Sequence, residues 1–208
     1  MRIATIGAGH IGGTLARLLA NVGHEVAVSN SRGPESLAEL VSELGGRVTA
    51  LTAEEAARFG EIAIVSVPFG RYRELPREGL AGKIVIDTNN YYAQRDGRFE
   101  EVDSGMRTSS ELLQDFLADA RVVKAFNTIN WTKLGSLGRP AGDPERIAVP
   151  IAADDGEAKR IVSELVDEIG FDVVDAGSLG GGGRLLQPGT AVYGADLSAP
   201  ELRTRLGA

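Results

Sequence analysis

Arg2-Ile3-Ala4-Thr5-Ile6 runs directly into Gly7-Ala8-Gly9-His10-Ile11-Gly12-Gly13, a short apolar strand followed at once by a G-x-G-x-x-G turn. The glycines meet three separate requirements of a dinucleotide pyrophosphate site. Gly7 permits the tight turn, Gly9 lets the backbone approach a phosphate with no Cβ in the way, and Gly12 lets the next helix pack close to the strand. The helix that opens there offers unpaired N–H groups and the positive end of its dipole to an anion. In a chain with 27 glycines one match to the pattern decides little, and a Gly-rich turn of some other α/β protein is the bland alternative. The context favours the nucleotide site. Ile11, Leu15, Leu18, Leu19 and Val22 recur at near-helical spacing, Gly23 ends that helix, and Glu25–Ser29 reads as a second strand. The result is a βαβ unit of about thirty residues.

The end of that second strand selects the cofactor. An NAD site carries Asp or Glu here for the ribose hydroxyls, whereas this chain has Ser29-Asn30-Ser31-Arg32. A carboxylate would repel a 2′-phosphate, while Ser31 and Arg32 donate to it, and a charge-assisted contact of this kind is worth about 1.5–3 kcal/mol. That corresponds to roughly ten- to hundred-fold preference for NADP over NAD. Asn30 adds polar contacts beside the adenosine. The same residues also form a polar loop before the helix that Pro34 and Glu35 begin. Gly7, Ala8, Gly9, His10, Ile11, Gly12, Asn30, Ser31 and Arg32 are therefore the expected NADP(H)-binding residues.

Composition narrows the classes. At 208 residues and 43% hydrophobic content the chain can bury a good core, as one domain or a domain with a modest appendage. No apolar stretch approaches the ~20 residues of a membrane span, and the first residues already read as a strand, so the expectation is a cytoplasmic protein with no secretory signal and no membrane partner. There is no Cys, and His10 and His24 lack metal-ligand spacing, so no metal site is expected. A formal charge of −7 with no long basic run argues against nucleic acid as a partner.

Helix and strand patterns alternate almost to the end, the signature of an α/β Rossmann-type doubly wound, mostly parallel sheet. A helix is expected over Pro34–Leu44 and a strand over Arg47–Ala50. Capping boxes open helices at Thr52-Ala53-Glu54-Glu55 and Thr108-Ser109-Ser110-Glu111. Ile62–Val67, Lys83–Asp87 and Arg121–Phe126 read as buried strands. Ile147–Ala152, a helix from Asp154 to about Ile169, and Asp172–Ala176 complete the pattern. Regularity then fails at Gly180-Gly181-Gly182-Gly183, which reads as a flexible loop, and a short helix near Pro200–Leu206 ends the chain. Residues 1–130 form the expected NADP-binding domain and residues 131–208 a small C-terminal extension that completes the sheet and an acceptor pocket, in one compact unit. The apolar tail after Gly189 suits either a homodimer surface or packing on its own core. Ligands of such sheets bind outside the carboxyl ends of the strands. Those ends carry Val67-Pro68-Phe69-Gly70, Asp87-Thr88-Asn89-Asn90-Tyr91-Tyr92, Asn127-Thr128-Ile129-Asn130 and Ala176-Gly177-Ser178-Leu179.

Together these segments resemble the F-420-dependent NADP reductase family, which moves a hydride between NADP(H) and an 8-hydroxy-5-deazaflavin coenzyme. The resemblance rests on Gly7–Gly12 with Ser31-Arg32, on Ser66-Val67-Pro68-Phe69, Asp87-Thr88-Asn89-Asn90-Tyr91 and Thr108–Leu112, and on Arg121-Val122-Val123-Lys124-Ala125-Phe126-Asn127-Thr128-Ile129 and Asp172–Gly177. The module is also similar to the reductase domain of certain metalloreductases, which pass NADPH electrons to an ordinary flavin. The resemblance implies that Val67, Pro68 and Phe69 wall the nicotinamide, with Asn127 near its carboxamide edge and Asn89 and Ala125 in the same cofactor site. Pro68 and Asn127 are then the catalytic positions, and Asn89, Asn90 and Tyr91 line the acceptor side, where coenzyme F-420, FMN or FAD would be the second substrate. Plainer readings stand beside these: a strand end with a Pro turn at Val67–Phe69, an Asn-Asn turn, and a helix start after Asn127 that Thr128 or Asn130 caps. His10 faces the nucleotide, the solvent or the core, and His24 follows the helix end. Arg184 is a donor to an anionic acceptor or a surface residue. The chain departs from the family at Gly180–Gly183 and at Leu186–Gly194, where the acceptor pocket would be shaped.

Hydride transfer between two stacked rings gains most of its acceleration from placement and needs little acid–base chemistry. No Tyr-x-x-x-Lys pair is present, since Tyr91 is followed four residues later by Arg95, and no obligatory proton donor is expected. Two other functions fit the same cofactor loops. One is NADPH-dependent reduction of a small imine or carbonyl compound, with Tyr91, Tyr92 or water as proton source. The other is a redox sensor that binds NADP without turnover.

Overall fold

The computed structural model describes residues 1–207. Its strands are β1 (Arg2–Ile6), β2 (Glu25–Ser29), β3 (Val48–Ala50), β4 (Ile62–Val65), β5 (Ile84–Asp87), β6 (Arg121–Lys124), β7 (Ala148–Ala153) and β8 (Asp172–Gly177). They form one sheet in the order β3-β2-β1-β4-β5-β6-β7-β8. The first six are mutually parallel, and the order reverses between β1 and β4, the switch point at which doubly wound sheets open a ligand crevice. β7 joins β6 antiparallel through Val123–Ala153 and Lys124–Ala152, and β8 follows β7 in parallel. The mostly parallel α/β sheet expected from the sequence is what the chain forms.

Alternation within the strands supplies two cores at once. Ile3, Val26, Val28, Ile62, Ile64, Ile84 and Ile86 face helix α1 (His10–Asn21) and the helix Gly156–Glu168. Ala4, Ile6, Ala63, Val65 and Val85 face the opposite layer, where Phe69, Leu80 and Leu113 pack. A third cluster at the far edge joins β7 and β8 to Leu186, Val192 and Leu202, so the apolar tail covers its own sheet. No helix among the described residues is long and apolar enough to cross a membrane.

Several boundaries differ from the sequence reading. The expected helix Pro34–Leu44 divides into a 3₁₀ turn, Pro34–Leu37, and helix α2 (Ala38–Leu44), because Ser36 ties its hydroxyl to the Gly33 carbonyl and to Asn30. β4 ends at Val65 rather than Val67, since the Val67 N–H leaves the ladder for the Asn89 side chain. β6 ends at Lys124 rather than Phe126, because Phe126 turns to φ 61°. Both capping boxes form, at Thr52–Glu55, which opens helix α3 (Ala53–Phe59), and at Thr108–Glu111.

The glycine run is the largest correction. Gly181–Leu185 is a helical turn, not a flexible loop. A Cβ on Gly182 would lie 2.2 Å from the Ala176 carbonyl oxygen, so this position lets the turn press against the end of β8. A Cβ on Gly183 would meet only ordinary contacts, Thr108 at 3.8 Å. Gly182→Ala should therefore destabilise the protein by about 1–3 kcal/mol through overpacking, whereas Gly183→Ala should stabilise it by up to about 1 kcal/mol through helix propensity. Denaturant melts of the two variants check this; equal effects would remove the close approach as the reason for the run.

Candidate functional site

The carboxyl ends of β1, β2 and β4 enclose a cleft of about 420 Å³ at the switch point. Its floor is the glycine turn. Gly7 has φ +100°, and a Cβ there would lie 2.1 Å from the Ser66 carbonyl oxygen; one on Gly12 would lie 1.9 Å from the Gly7 carbonyl oxygen. Gly7 thus lets the turn press against the segment after β4, and Gly12 lets α1 approach the turn and β1. A Cβ on Gly9 has nothing within 4 Å, which leaves open space before the first turn of α1. Gly9 is the N-cap of α1 and no side chain caps that helix, so its first N–H groups remain available to an anion. The Gly7 and Ala8 N–H groups both donate to the Ser29 carbonyl at 3.0 Å, which locks the turn to β2.

Asn30, Ser31 and Arg32 line the same cleft. Asn30 shapes it: its Oδ1 accepts from the Arg32 N–H at 2.8 Å and its Nδ2 donates to Ser36 at 2.8 Å. Ser31 and Arg32 are exposed, and Arg32 makes no ion pair among the described residues. The carboxylate on the cleft wall, Glu74, is engaged by Arg71 at 2.6 Å, which holds its carboxyl below the usual range. Val67 and Pro68 complete the wall.

Other expected site residues lie elsewhere. Phe69 is fully buried and does not line the cleft; its ring stacks on Tyr72 at 4.8 Å and meets Phe99 and Tyr91 edge-on. It braces the wall from behind. Ala125 is buried in the sheet core, and Ile11 packs against that same core. His10 stacks on Trp131 at 4.4 Å and lines, with Arg17 and Thr14, a surface hollow that adjoins the main cleft across Ala8 and Gly9. His24 is buried, with Nε2 2.7 Å from Glu168 and Nδ1 3.2 Å from the Met1 amine. Arg184 donates to the Gly105 carbonyl, and Asn130 is the residue that caps the turn Trp131–Leu134.

Asn127 and Asn90 belong to a second, smaller cavity of about 140 Å³, lined also by Tyr91, Ser109, Lys124 and Gln187. The Asn127 Nδ2 donates to the Leu186 carbonyl at 2.6 Å and to the Asn90 Oδ1 at 3.1 Å, while its Oδ1 is buried without a partner. Asn90 returns a bond to the Asn127 carbonyl at 2.9 Å. Phe126 just before Asn127 is the non-glycine residue with positive φ among the described residues, a conformation costing roughly 1–2 kcal/mol. It turns the chain between Lys124 and Asn127. The roof of the cavity is the Gln187–Pro188 segment, fastened further on by a 2.6 Å hydrogen bond between the Tyr193 and Tyr92 hydroxyls. The end of β8, Gly177–Leu179, lines neither cavity; it is Gln187 and Pro188, beyond the turn Gly181–Leu185, that reach the second one.

Sequence reasoning missed the group beneath that cavity. Lys124 and Asp87 stand opposite each other in the β5–β6 register and form a buried ion pair at 3.1 Å, with side chains 2% and 0% exposed. Burial pulls the Lys124 ammonium below its ordinary range, and Asp87 opposes that shift. A strand-end Asp and Lys in parallel register was the available signal.

Comparison with known proteins places the module. Residues 2–91 match the family model described as NADP oxidoreductase, coenzyme F420-dependent. The chain is 33% identical over 180 residues to the metalloreductase STEAP3 of Rattus norvegicus, a match covering 86% of this chain and 34% of that protein, so it spans about a third of that relative's length. A hypothetical protein of Sinorhizobium meliloti superposes with a TM-score of 0.82 at 29% identity over 95% of each chain. A candidate F420-dependent NADP-reductase of Arthrobacter sp. FB24 does so with a TM-score of 0.77 at 28% identity, over 95% of this chain and 99% of that one.

The roof gives a pH test. Burial and the bond to Tyr92 push the Tyr193 hydroxyl from its ordinary 10 up to about 12. The folded chain therefore keeps this proton longer than the unfolded one. Its contribution is complete below pH 10 and is lost as pH rises toward 12. Denaturation midpoints across that window should fall more steeply for the native chain than for Tyr193→Phe, and parallel slopes would remove Tyr193 as the cause.

Proposed function

The chain is a relative of the coenzyme F420-dependent NADP oxidoreductases through residues 2–91, and from that premise we propose that it transfers a hydride between NADPH and a deazaflavin or flavin acceptor. At the coarser level it is an NADP-dependent oxidoreductase. The observation that carries the proposal is the end of β2, where Ser31 and Arg32, which has no ion pair among the described residues, stand on the cleft beside an open phosphate turn. The residues present fit the dinucleotide: a turn whose close packing requires Gly7 and Gly12, open space at Gly9, an uncapped helix N-terminus, and a basic group where an NAD site carries an acid. When bound, NADPH supplies a hydride from its nicotinamide ring.

The protein's part is placement. The first N–H groups of α1 hold the diphosphate, Ser31 and Arg32 hold the 2′-phosphate, and Val67 and Pro68 present an apolar wall that excludes water. The second cavity, with Asn90, Tyr91 and Asn127, receives the edge of the acceptor. Neither histidine lines the main cleft or this cavity, whose proton-bearing side chains are Tyr91, Ser109 and Lys124. The small volume of the second cavity favours, as a second reading, a small imine or carbonyl compound in place of a ring system.

Arg32→Ala should weaken NADPH binding about ten- to hundred-fold while leaving NADH binding unchanged, read by fluorescence titration. Equal loss for both nucleotides would sink the assignment of Arg32. Turnover is tested by following NADPH oxidation with the deazaflavin coenzyme, FMN and FAD offered separately. Loss of both NADPH and acceptor signals supports the proposal. Oxidation only with a small imine or carbonyl compound would replace it with the second reading.

A further inference from the structure

The Lys124–Asp87 pair has no part in that function as so far described, and its cost calls for a reason. Burying two charges is expensive, and an apolar pair of similar size stabilises a core as well or better. Each member of the pair bonds the same neighbour, Asn89. Asp87 Oδ1 accepts from the Asn89 N–H at 2.9 Å, and the Lys124 Nζ donates to the Asn89 carbonyl. Ser110 donates to Asp87 Oδ2 at 2.7 Å, the oxygen that also takes Lys124, so the carboxylate is fixed at both oxygens.

Asn89 passes this placement on. Its side-chain Oδ1 accepts from the Val67 N–H at 2.9 Å, and Thr88 beside it binds the Val65 carbonyl with its hydroxyl at 3.0 Å. Backbone bonds still hold Val65 and Ser66, through the Thr88 N–H and the Ile6 carbonyl, and at Val67 the Asn89 side chain takes the place of a strand neighbour for the segment leading to the cleft wall. The Asn89 Nδ2 is buried with no partner, so the amide holds its orientation at the expense of one donor. That is a poor arrangement for stability and a good one for fixing Val67.

We propose that Lys124 and Asp87 are positioning residues that act through Asn89 to fix the cleft wall at Val67–Pro68, and so set the face against which a nicotinamide ring lies. The placement of Val67 stands on the hydrogen bonds alone; its meaning for the ring rests on the dinucleotide function proposed above. A purely structural pair would be replaceable by apolar side chains without consequence for Val67.

The experiment uses the double variant Lys124→Met/Asp87→Leu, which leaves no unpaired buried charge. Three quantities are read in the whole chain: thermal unfolding, hydrogen exchange at the Val67 and Asn89 amides, and the affinities for NADPH and for 2′-phospho-ADP, which lacks the nicotinamide. The expected result is unfolding close to that of the native chain, about tenfold or greater acceleration of exchange at Val67, unchanged affinity for 2′-phospho-ADP, and loss of the extra affinity of NADPH over that fragment. Unchanged exchange at Val67 with unchanged NADPH affinity would overturn the proposal. If the native chain binds neither nucleotide, the dinucleotide function fails, and exchange at Val67 still decides the positioning. Should the double variant not fold, Ser110→Ala keeps both charges, and faster exchange at Val67 than at the β1 amides supports the proposal while equal exchange overturns it.

Discussion

A sheet covered on both faces has one place for polar side chains, its strand ends, and this constraint arranges the whole molecule. β4 is apolar throughout and β5 up to its last residue, and most buried polar residues begin where the ladders stop, Thr5 within β1 being an exception. Ser29, Asp87, Thr88, Asn89, Lys124 and Asn127 are all buried there. Buried polar groups must find partners or lose about 1–3 kcal/mol each. Most of them therefore bond to one another or to the backbone leaving the adjacent strand, and the edge becomes a rigid frame.

The two cavities on that edge are built in different ways. The larger is made mainly of backbone: a turn that tolerates no side chain at Gly7 or Gly12, and a helix start left without a cap. Such a surface suits a ligand recognised by its phosphates, whatever else it carries. The smaller is made of side chains from β5, β6 and the segment after β8, held by the amides of Asn90 and Asn127. Its shape depends on residues far apart in the chain, which is where differences among relatives in acceptor would be expected to concentrate.

What the sequence disclosed follows the same division. The strand, glycine turn and helix of residues 2–21 are local, and each residue's reason is visible in its neighbours. The parallel order follows from alternation of strand and helix patterns. The reversal at β7 was not legible, because a strand buried on both faces shows a continuous apolar run whichever way it points. Phe69 was misplaced for a related reason: an aromatic residue at a strand end suits a ring-binding wall and a core equally, and only its burial against Tyr72 and Phe99 decides. The glycine run signalled flexibility by composition, yet Gly182 answers a contact with Ala176 that no local pattern records. Lys124 and Asp87 lie 37 residues apart and each reads alone as an ordinary polar strand end.

The roof over the smaller cavity is joined to the sheet by contacts between residues 59 apart, Asn127 to Leu186, and 101 apart, Tyr92 to Tyr193. The phosphate turn, by contrast, rests on β1 and β2, which pair across 23 residues (Ile3 with Val26), although the cleft above it also needs β1 paired with β4 across 59 (Ile3 with Ile62). Loop-closure entropy makes such distant contacts unfavourable until the strands they rest on exist. On loop-closure grounds the phosphate turn is expected to form early, whereas the cleft wall after β4 and the cover of the second cavity both wait on contacts 59 residues apart. The cover itself, residues 187–193, lies outside every strand of the sheet, so its opening is expected to need no ladder bond broken.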